Sequence, residues 1–218
     1  MDNIVIAAAK GRLAEEGIRL LELSGIRFPD YSKKSRKLVF LSEDENIKMV
    51  MVKPGDVPVY VERGTCDIGI VGKDVLVESR ANLYEILDLG FGKCKMITAA
   101  TRDISLNRGK KLRVATKYPN MAKDYFNNKG EMIDIIKLNG SVELAPVMGL
   151  SDIIVDIVET GKTLKENGLH IVDTICDLSA RLVVNKVSFK TKTETIEKIV
   201  KSIQSIMGEE SEVNIENS

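Results

Sequence analysis

Residues 4–12 read Ile4-Val5-Ile6-Ala7-Ala8-Ala9-Lys10-Gly11-Arg12, a short apolar run closed by a glycine between two cations. Apolar residues follow at Leu13, Ile18, Leu20, Leu21 and Leu23. An apolar run of this length, a glycine and then helical spacing predict a buried strand, a tight turn and an amphipathic helix. The same order recurs at Asp67-Ile68-Gly69-Ile70-Val71-Gly72, which leads into a short helix from Lys73 to Ser79. Between the two, Leu38 to Leu41 and Ile47 to Val52 have strand composition, and Asp56 to Glu62 predicts a helix with Asp56 as N-cap and Pro58 in its first turn. Strand composition returns at Tyr84 to Leu89 and at Met96 to Thr101, with a turn at Asn107-Arg108-Gly109-Lys110.

Farther along, Leu112 to Thr116, Ile133 to Leu138 and Ile153 to Val158 are β-branched runs separated by helical or turn segments, the pattern of a second sheet with crossover helices. Late strands are expected at His170 to Cys176 and Arg181 to Val184, and a closing helix at Thr193 to Met207, apolar at Ile196, Ile199, Val200, Ile203 and Ile206. The expected organisation is α/β in two lobes: residues 1–92 plus 183–207, and residues 93–182. Residues 208–218, rich in glutamate, are expected to form a disordered tail. Two such lobes imply a central cleft, with ligands outside the carboxyl ends of the strands.

Composition narrows the chemistry. The chain has 218 residues, 44% hydrophobic and 29% charged, the balance of a soluble globular protein. Thirty-two basic residues offset thirty-two acidic ones, so no global charge recruits nucleic acid or an anionic membrane. Three dispersed cysteines and a single histidine, His170, make a zinc site improbable and leave no Ser/His set for hydrolysis. No basic, apolar leader opens the chain and no run nears the roughly 18 apolar residues of a spanning helix, so a cytoplasmic location is expected.

The chemically most informative stretch runs from Asp152 to Leu164. A strand carries Asp156 to its end, Glu159 follows, and Thr160-Gly161-Lys162-Thr163 makes a turn into a helix through Leu164. Free backbone N–H groups, two hydroxyls and one ammonium around a small space suit a phosphate. The nearby carboxylates suit vicinal sugar hydroxyls, which points to a ribose 5-phosphate. Gly161-Lys162-Thr163 matches the end of a P-loop, but the required first glycine falls on Asp156, which excludes a Walker-type site. A plain strand-to-helix turn is the competing account. Lys10-Gly11-Arg12 repeats the theme for a di- or triphosphate, Lys53-Pro54-Gly55-Asp56 and Gly72-Lys73 more weakly, each against the alternative of simple solvation. The basic run Lys33 to Lys37 has no interleaved aromatic and reads as a solvated turn.

Taken together, IVIAAAKGRL (4–13), KPGDVPVYVERGTCDIGIVGKDVL (53–76), LRVATKYPN (112–120), IKLNGSVELAP (136–146) and SDIIVDIVETGKTLKENGLHIVDTICDLSARLVVN (151–185) resemble the ATP phosphoribosyltransferase family, the first enzyme of histidine biosynthesis. The resemblance spans nearly all of residues 3–205. It implies a type II periplasmic-binding-protein-like fold and transfer of phosphoribosyl from phosphoribosyl pyrophosphate (PRPP) to N1 of ATP, with Mg²⁺ and release of pyrophosphate. On that likeness Lys10, Arg12 and Asp156 are catalytic. The same likeness implies that Gly11, Lys53, Gly72, Glu143, Asp152, Glu159, Thr160, Gly161, Lys162, Thr163 and Leu164 bind substrate. Ala9 stands where many members have proline, and Lys53 where many have arginine, so a single ammonium replaces a planar fork.

The length resembles that of the short-form members, which act with a histidyl-tRNA-synthetase-like regulatory subunit in a hetero-octamer. A two-lobed solute-binding protein without turnover and phosphoribosyl transfer to another base are the competing functions. The short-form resemblance predicts that the isolated chain shows little or no inhibition by histidine; a tight histidine site on this chain alone, measured by calorimetry, would refute it.

Overall fold

The structure, a computed structural model, describes residues 3–101 and 111–216, so the turn expected at 107–110 lies outside the described residues. The chain divides into two units, Met1–Gly92 with Ser179–Ser218, and Lys93–Leu178. The first unit opens with β1 (Ile4–Ala9), α1 (Arg12–Leu23), β2 (Val39–Leu41), β3 (Ile47–Val52), α2 (Val57–Glu62), β4 (Ile68–Gly72), α3 (Lys73–Ser79) and β5 (Tyr84–Asp88). The second contains β6 (Cys94–Ala100), β7 (Leu112–Thr116), α4 (Pro119–Asn128), β8 (Ile133–Lys137), α5 (Leu144–Val147), β9 (Ile153–Val158), α6 (Lys162–Glu166) and β10 (His170–Leu178). The chain then returns to the first unit as β11 (Ala180–Val184), α7 (Lys186–Thr191) and α8 (Thr193–Glu216).

The first sheet has the order β2-β3-β1-β4-β11-β5, with β1 parallel to both β3 and β4. A strand covered on both faces must be apolar at every position, and β1 is. Ile4, Ile6 and Ala8 face a core with Ile18 and Leu21 of α1 and Ile196 and Ile203 of α8. Ala7 and Ala9 face the opposite side, with Val57 and Val61 of α2. The small residues on that side let α2 come close: a Cβ added at Gly69 would sit 2.8 Å from Val61 and 3.0 Å from Val57. The second sheet has the order β10-β6-β9-β7-β8, with β7 parallel to β8 and β9 and with β6 antiparallel to its two neighbours. Ile97, Ala115, Ile154, Leu164 and Leu169 belong to one of its buried clusters.

Three details depart from the sequence reading. Asp56 sits ahead of α2 in helical backbone conformation and makes no side-chain cap; a three-residue 3-10 turn at Pro54–Asp56 leads into the helix instead. The return to the first unit comes at Ser179 rather than at 183, because Ala180 already pairs with Gly72 across β11 and β4. The helix expected to stop at Met207 runs on through Glu216, so 208–216 is helical rather than a loose tail. That stretch has no proline and several glutamates, which favour helix; residues 217–218 lie outside the described residues. Helix α7 has no strong periodicity in sequence and owes its start to Asn185, whose Oδ1 accepts from Val187 N at 2.8 Å and Ser188 N at 2.9 Å.

The returning segment is fastened by a buried carboxylate. Asp67, 4% exposed, accepts from Val5 N at 2.9 Å, from Ser188 Oγ at 2.6 Å and from Lys192 Nζ at 2.9 and 3.0 Å. Removing one partner of such a pair leaves an uncompensated buried charge. Among the described residues, no helix is long and apolar enough to cross a membrane. Lys192→Met is expected to lower the unfolding free energy by about 2–4 kcal/mol in urea titrations; an unchanged midpoint would contradict this account of the return.

Candidate functional site

Parallel strands of an α/β sheet deliver loops to one edge, and ligands gather there. In the first unit this edge is formed by the ends of β3, β1 and β4, at Val52, Ala9 and Gly72. Lys10 N donates to Val52 O at 2.9 Å, which ties the first turn to the end of the neighbouring strand. Gly11 takes φ 111°, a left-handed value that L side chains avoid, so glycine is required where the chain swings into α1. Lys10, Gly11, Arg12 and Lys53 are all exposed, and neither lysine has an ion pair among the described residues. Gly72 is buried, and a Cβ there would fall 2.3 Å from Asp74 Oδ1. The next cation is committed: Lys73 Nζ lies 2.5 Å from Glu85, which also meets Arg181 at 3.3 Å.

In the second unit the edge is formed by the ends of β9, β7 and β8. Beyond Val158 the chain turns at Gly161, held at φ 73°, directly into α6. Thr160, Lys162 and Thr163 are exposed, and Glu159 is exposed beside them. Leu164 is 8% exposed and packs with Ile97, Ala115 and Ile154. Its side chain therefore anchors the turn from beneath, and only its backbone is open to a ligand. Helix α6 has five residues, too short for a strong dipole, so anion affinity rests on the turn's backbone N–H groups, the two hydroxyls and Lys162. The Lys162 ammonium is only loosely paired, 3.9 Å from Glu166.

Asp156 is the electrostatic centre of this edge. Burial pushes its carboxyl above the ordinary carboxylate range; Ile157 N, donating at 2.8 Å, pulls it back, the charge of Glu143 pushes it up again, and Lys117 opposes that. Glu143, at the start of α5, and Asp156 are thus brought together with the 159–163 turn. Asp152 is not. It precedes β9, at the far end of the strand from the turn, and grips Arg113: Nη2 donates to Oδ1 at 2.7 Å and Nε to Oδ2 at 3.2 Å. The strand's length separates it from the turn, which corrects its assignment to a substrate-binding set.

Lys117 is the residue the sequence reading passed over. Its signal was a cation between the end of an apolar run and a proline, at Thr116-Lys117-Tyr118-Pro119. No three His, Cys, Asp or Glu residues group so as to hold a metal ion among the described residues. Burial, with Asp67 adding, pushes the Cys66 thiol up to about 11, which leaves it inert as a nucleophile. His170 is exposed at the start of β10.

Residues 53–205 match the family model described as HisG: ATP phosphoribosyltransferase. An ATP phosphoribosyltransferase from Oceanobacillus iheyensis is 50% identical over 95% of this chain and 100% of its own length. One from Lachnoclostridium phytofermentans is 51% identical over 96% and 99%. Among solved structures, a chain of the ATP phosphoribosyl transferase (HisG:HisZ) complex from Thermotoga maritima superposes with a TM-score of 0.83 at 39% identity, covering 94% of this chain and 99% of that one. The fold is the α/β, type II periplasmic-binding-protein-like kind.

The environment of Asp156 has a thermodynamic consequence. A carboxyl raised on folding contributes stability while protonated, below its unfolded value, and loses it as pH rises through the folded value. At neutral pH the charged Asp156 therefore costs stability. Asp156→Asn and Glu143→Gln are each expected to raise the melting temperature at about pH 7; a fall in both would contradict the buried, like-charged setting.

Proposed function

Because the chain belongs to the ATP phosphoribosyltransferase family, its reaction is phosphoribosyl transfer to ATP in histidine biosynthesis, and we propose that its two strand edges divide that chemistry. The 160–163 turn of the second unit takes the 5-phosphate of PRPP, and Asp156, Glu143 and Glu159 meet the sugar hydroxyls. Lys10, Gly11 and Arg12, with Lys53 and Gly72, take polyphosphate at the edge of the first unit. The observation that carries this reading is Gly161: its left-handed backbone and the buried Leu164 beneath present Thr160, Lys162 and Thr163 outward together.

In the reaction the lone pair of adenine N1 forms a bond to the anomeric carbon as the bond to pyrophosphate breaks, and the electron pair leaves with the pyrophosphate. No protein nucleophile is required, in keeping with an inert Cys66. Positive charge grows on the sugar and negative charge on the leaving group, so the protein's work is to orient the reactants and to stabilise both charges. Asp156 steadies the sugar and Lys10 and Arg12 the departing anion. Among the described residues no three His, Cys, Asp or Glu side chains group to hold a metal ion; we write the divalent cation, Mg²⁺, as part of the PRPP substrate, where it would offset negative charge on the departing pyrophosphate.

The Thermotoga chain is described as part of a HisG:HisZ complex, and we extend that arrangement to this chain: a catalytic subunit working with a histidyl-tRNA-synthetase-like partner, as a hetero-octamer in the cytoplasm. Thr163→Ala and Lys10→Ala are expected to keep the circular-dichroism spectrum and to lower kcat/KM for N1-phosphoribosyl-ATP formation by about 10²-fold, assayed with the regulatory subunit present. Normal PRPP kinetics in both variants would overturn the assignment.

A further inference from the structure

Lys117 stands where the backbone leaves it little freedom. Thr116 is fully buried; its Oγ1 donates to Val155 O at 2.7 Å and accepts from Tyr118 N at 2.8 Å. Thr116 and Val155 are partners in the parallel register of β7 and β9, so the next residue along each strand sets Lys117 beside Asp156, on chains about 4.8 Å apart. Pro119 then opens α4 at once. The Lys117 side chain is exposed and makes no ion pair among the described residues, its ammonium resting 5.9 Å from the centre of the Tyr118 ring. A cation held this firmly at its root, yet uncommitted at its tip, is available to the carboxylates beside it.

Those carboxylates need one. The charge of Glu143 repels that of Asp156, and a neighbouring like charge together with burial favours the protonated form of the Asp156 carboxyl. A protonated carboxyl spends an oxygen as a donor, whereas sugar hydroxyls that donate need acceptors. The other groups around Asp156 do not substitute for Lys117. On the β6 side its partner is Ile97, with Lys95 two positions on, opposite Val158 and 4.0 Å from Asp177. On its own segment Glu159 adds negative charge, and Lys162 lies beyond the turn, near Glu166.

We propose that Lys117 is a positioning residue for the phosphoribosyl edge, supplying the charge that holds Asp156 and Glu143 together as acceptors for the sugar hydroxyls. The proposal rests on the reading that Asp156 meets the sugar. Lys117 acts through the carboxylates rather than on the reacting atoms, so losing it matters most when protons are plentiful.

The test is kcat/KM for PRPP across pH, with the regulatory subunit present, for Lys117→Met, Lys117→Arg and Asp156→Asn. Lys117→Met is expected to lose about five- to tenfold at the acid end of the enzyme's working range and less than about twofold at its alkaline end, mainly through KM. Lys117→Arg is expected to restore the parent profile. An equal loss at every pH would make Lys117 a simple anion contact and overturn the proposal, as would no loss at all. Asp156→Asn separates the two layers: an unchanged KM for PRPP would sink the reading of Asp156 and the proposal with it. A raised KM there, beside a parent-like profile for Lys117→Met, would sink the proposal alone. Should Lys117→Met fail to fold, Lys117→Gln reports the same loss of charge.

Discussion

The pairing register of the parallel strands is the constraint on which the functional chemistry depends. In the first unit β1 advances in step with β3 from Ile4 opposite Ile47 to Ala9 opposite Val52, so Lys10 and Lys53 emerge side by side. In the second, Thr116 faces Val155, so Lys117 and Asp156 emerge together. A slip of one residue would turn every side chain of a strand to the other face, and would separate these groups as surely as it would expose the core. The buried runs that hold the register are thereby also what aims the charged residues.

The two edges manage charge differently. At the first, Lys10 and Lys53 stand exposed without an ion pair among the described residues, while Lys73 is drawn aside into contacts with Glu85 and, through it, Arg181. At the second, cations and carboxylates are mixed, and Asp156 is partly withdrawn from water. The first arrangement suits an all-anionic group such as a polyphosphate. The second suits a molecule with a phosphate at one end and hydroxyls along its middle.

Much of this was legible in the chain itself. Strand β3, helix α3 and strand β9 lie where their apolar runs and glycine stops predict, because a strand covered on both faces admits few polar residues. Short helices were harder: α5 has four residues and α7 six, too few for periodicity to register, and α7 depends on the Asn185 cap. Among site residues, the turn at 160–163 was readable because glycine and hydroxyls punctuate a strand end. Asp152 misled, because a run of sequence does not say which end of a strand a residue serves; its ion pair with Arg113, on the adjacent strand, decides that. Lys117 was overlooked because its importance comes from a neighbour on another strand, thirty-nine residues away from it as Thr116 is from Val155.

The first unit is assembled from two distant pieces of chain, and this shapes how it emerges from the ribosome. Strand β4 and the carboxylate of Asp67 are synthesised early, but their partners β11 and Lys192 come much later, the latter 125 residues on. Until then β4 has an unpaired flank and Asp67 has no counter-ion to be buried with. The contiguous second unit can meanwhile complete its own sheet, since its strands β6 to β10 lie in one unbroken stretch. Chain order alone thus completes the contiguous half before the amino-terminal half has its clasp, and an open strand flank of that kind is one that invites chaperones or wrong partners.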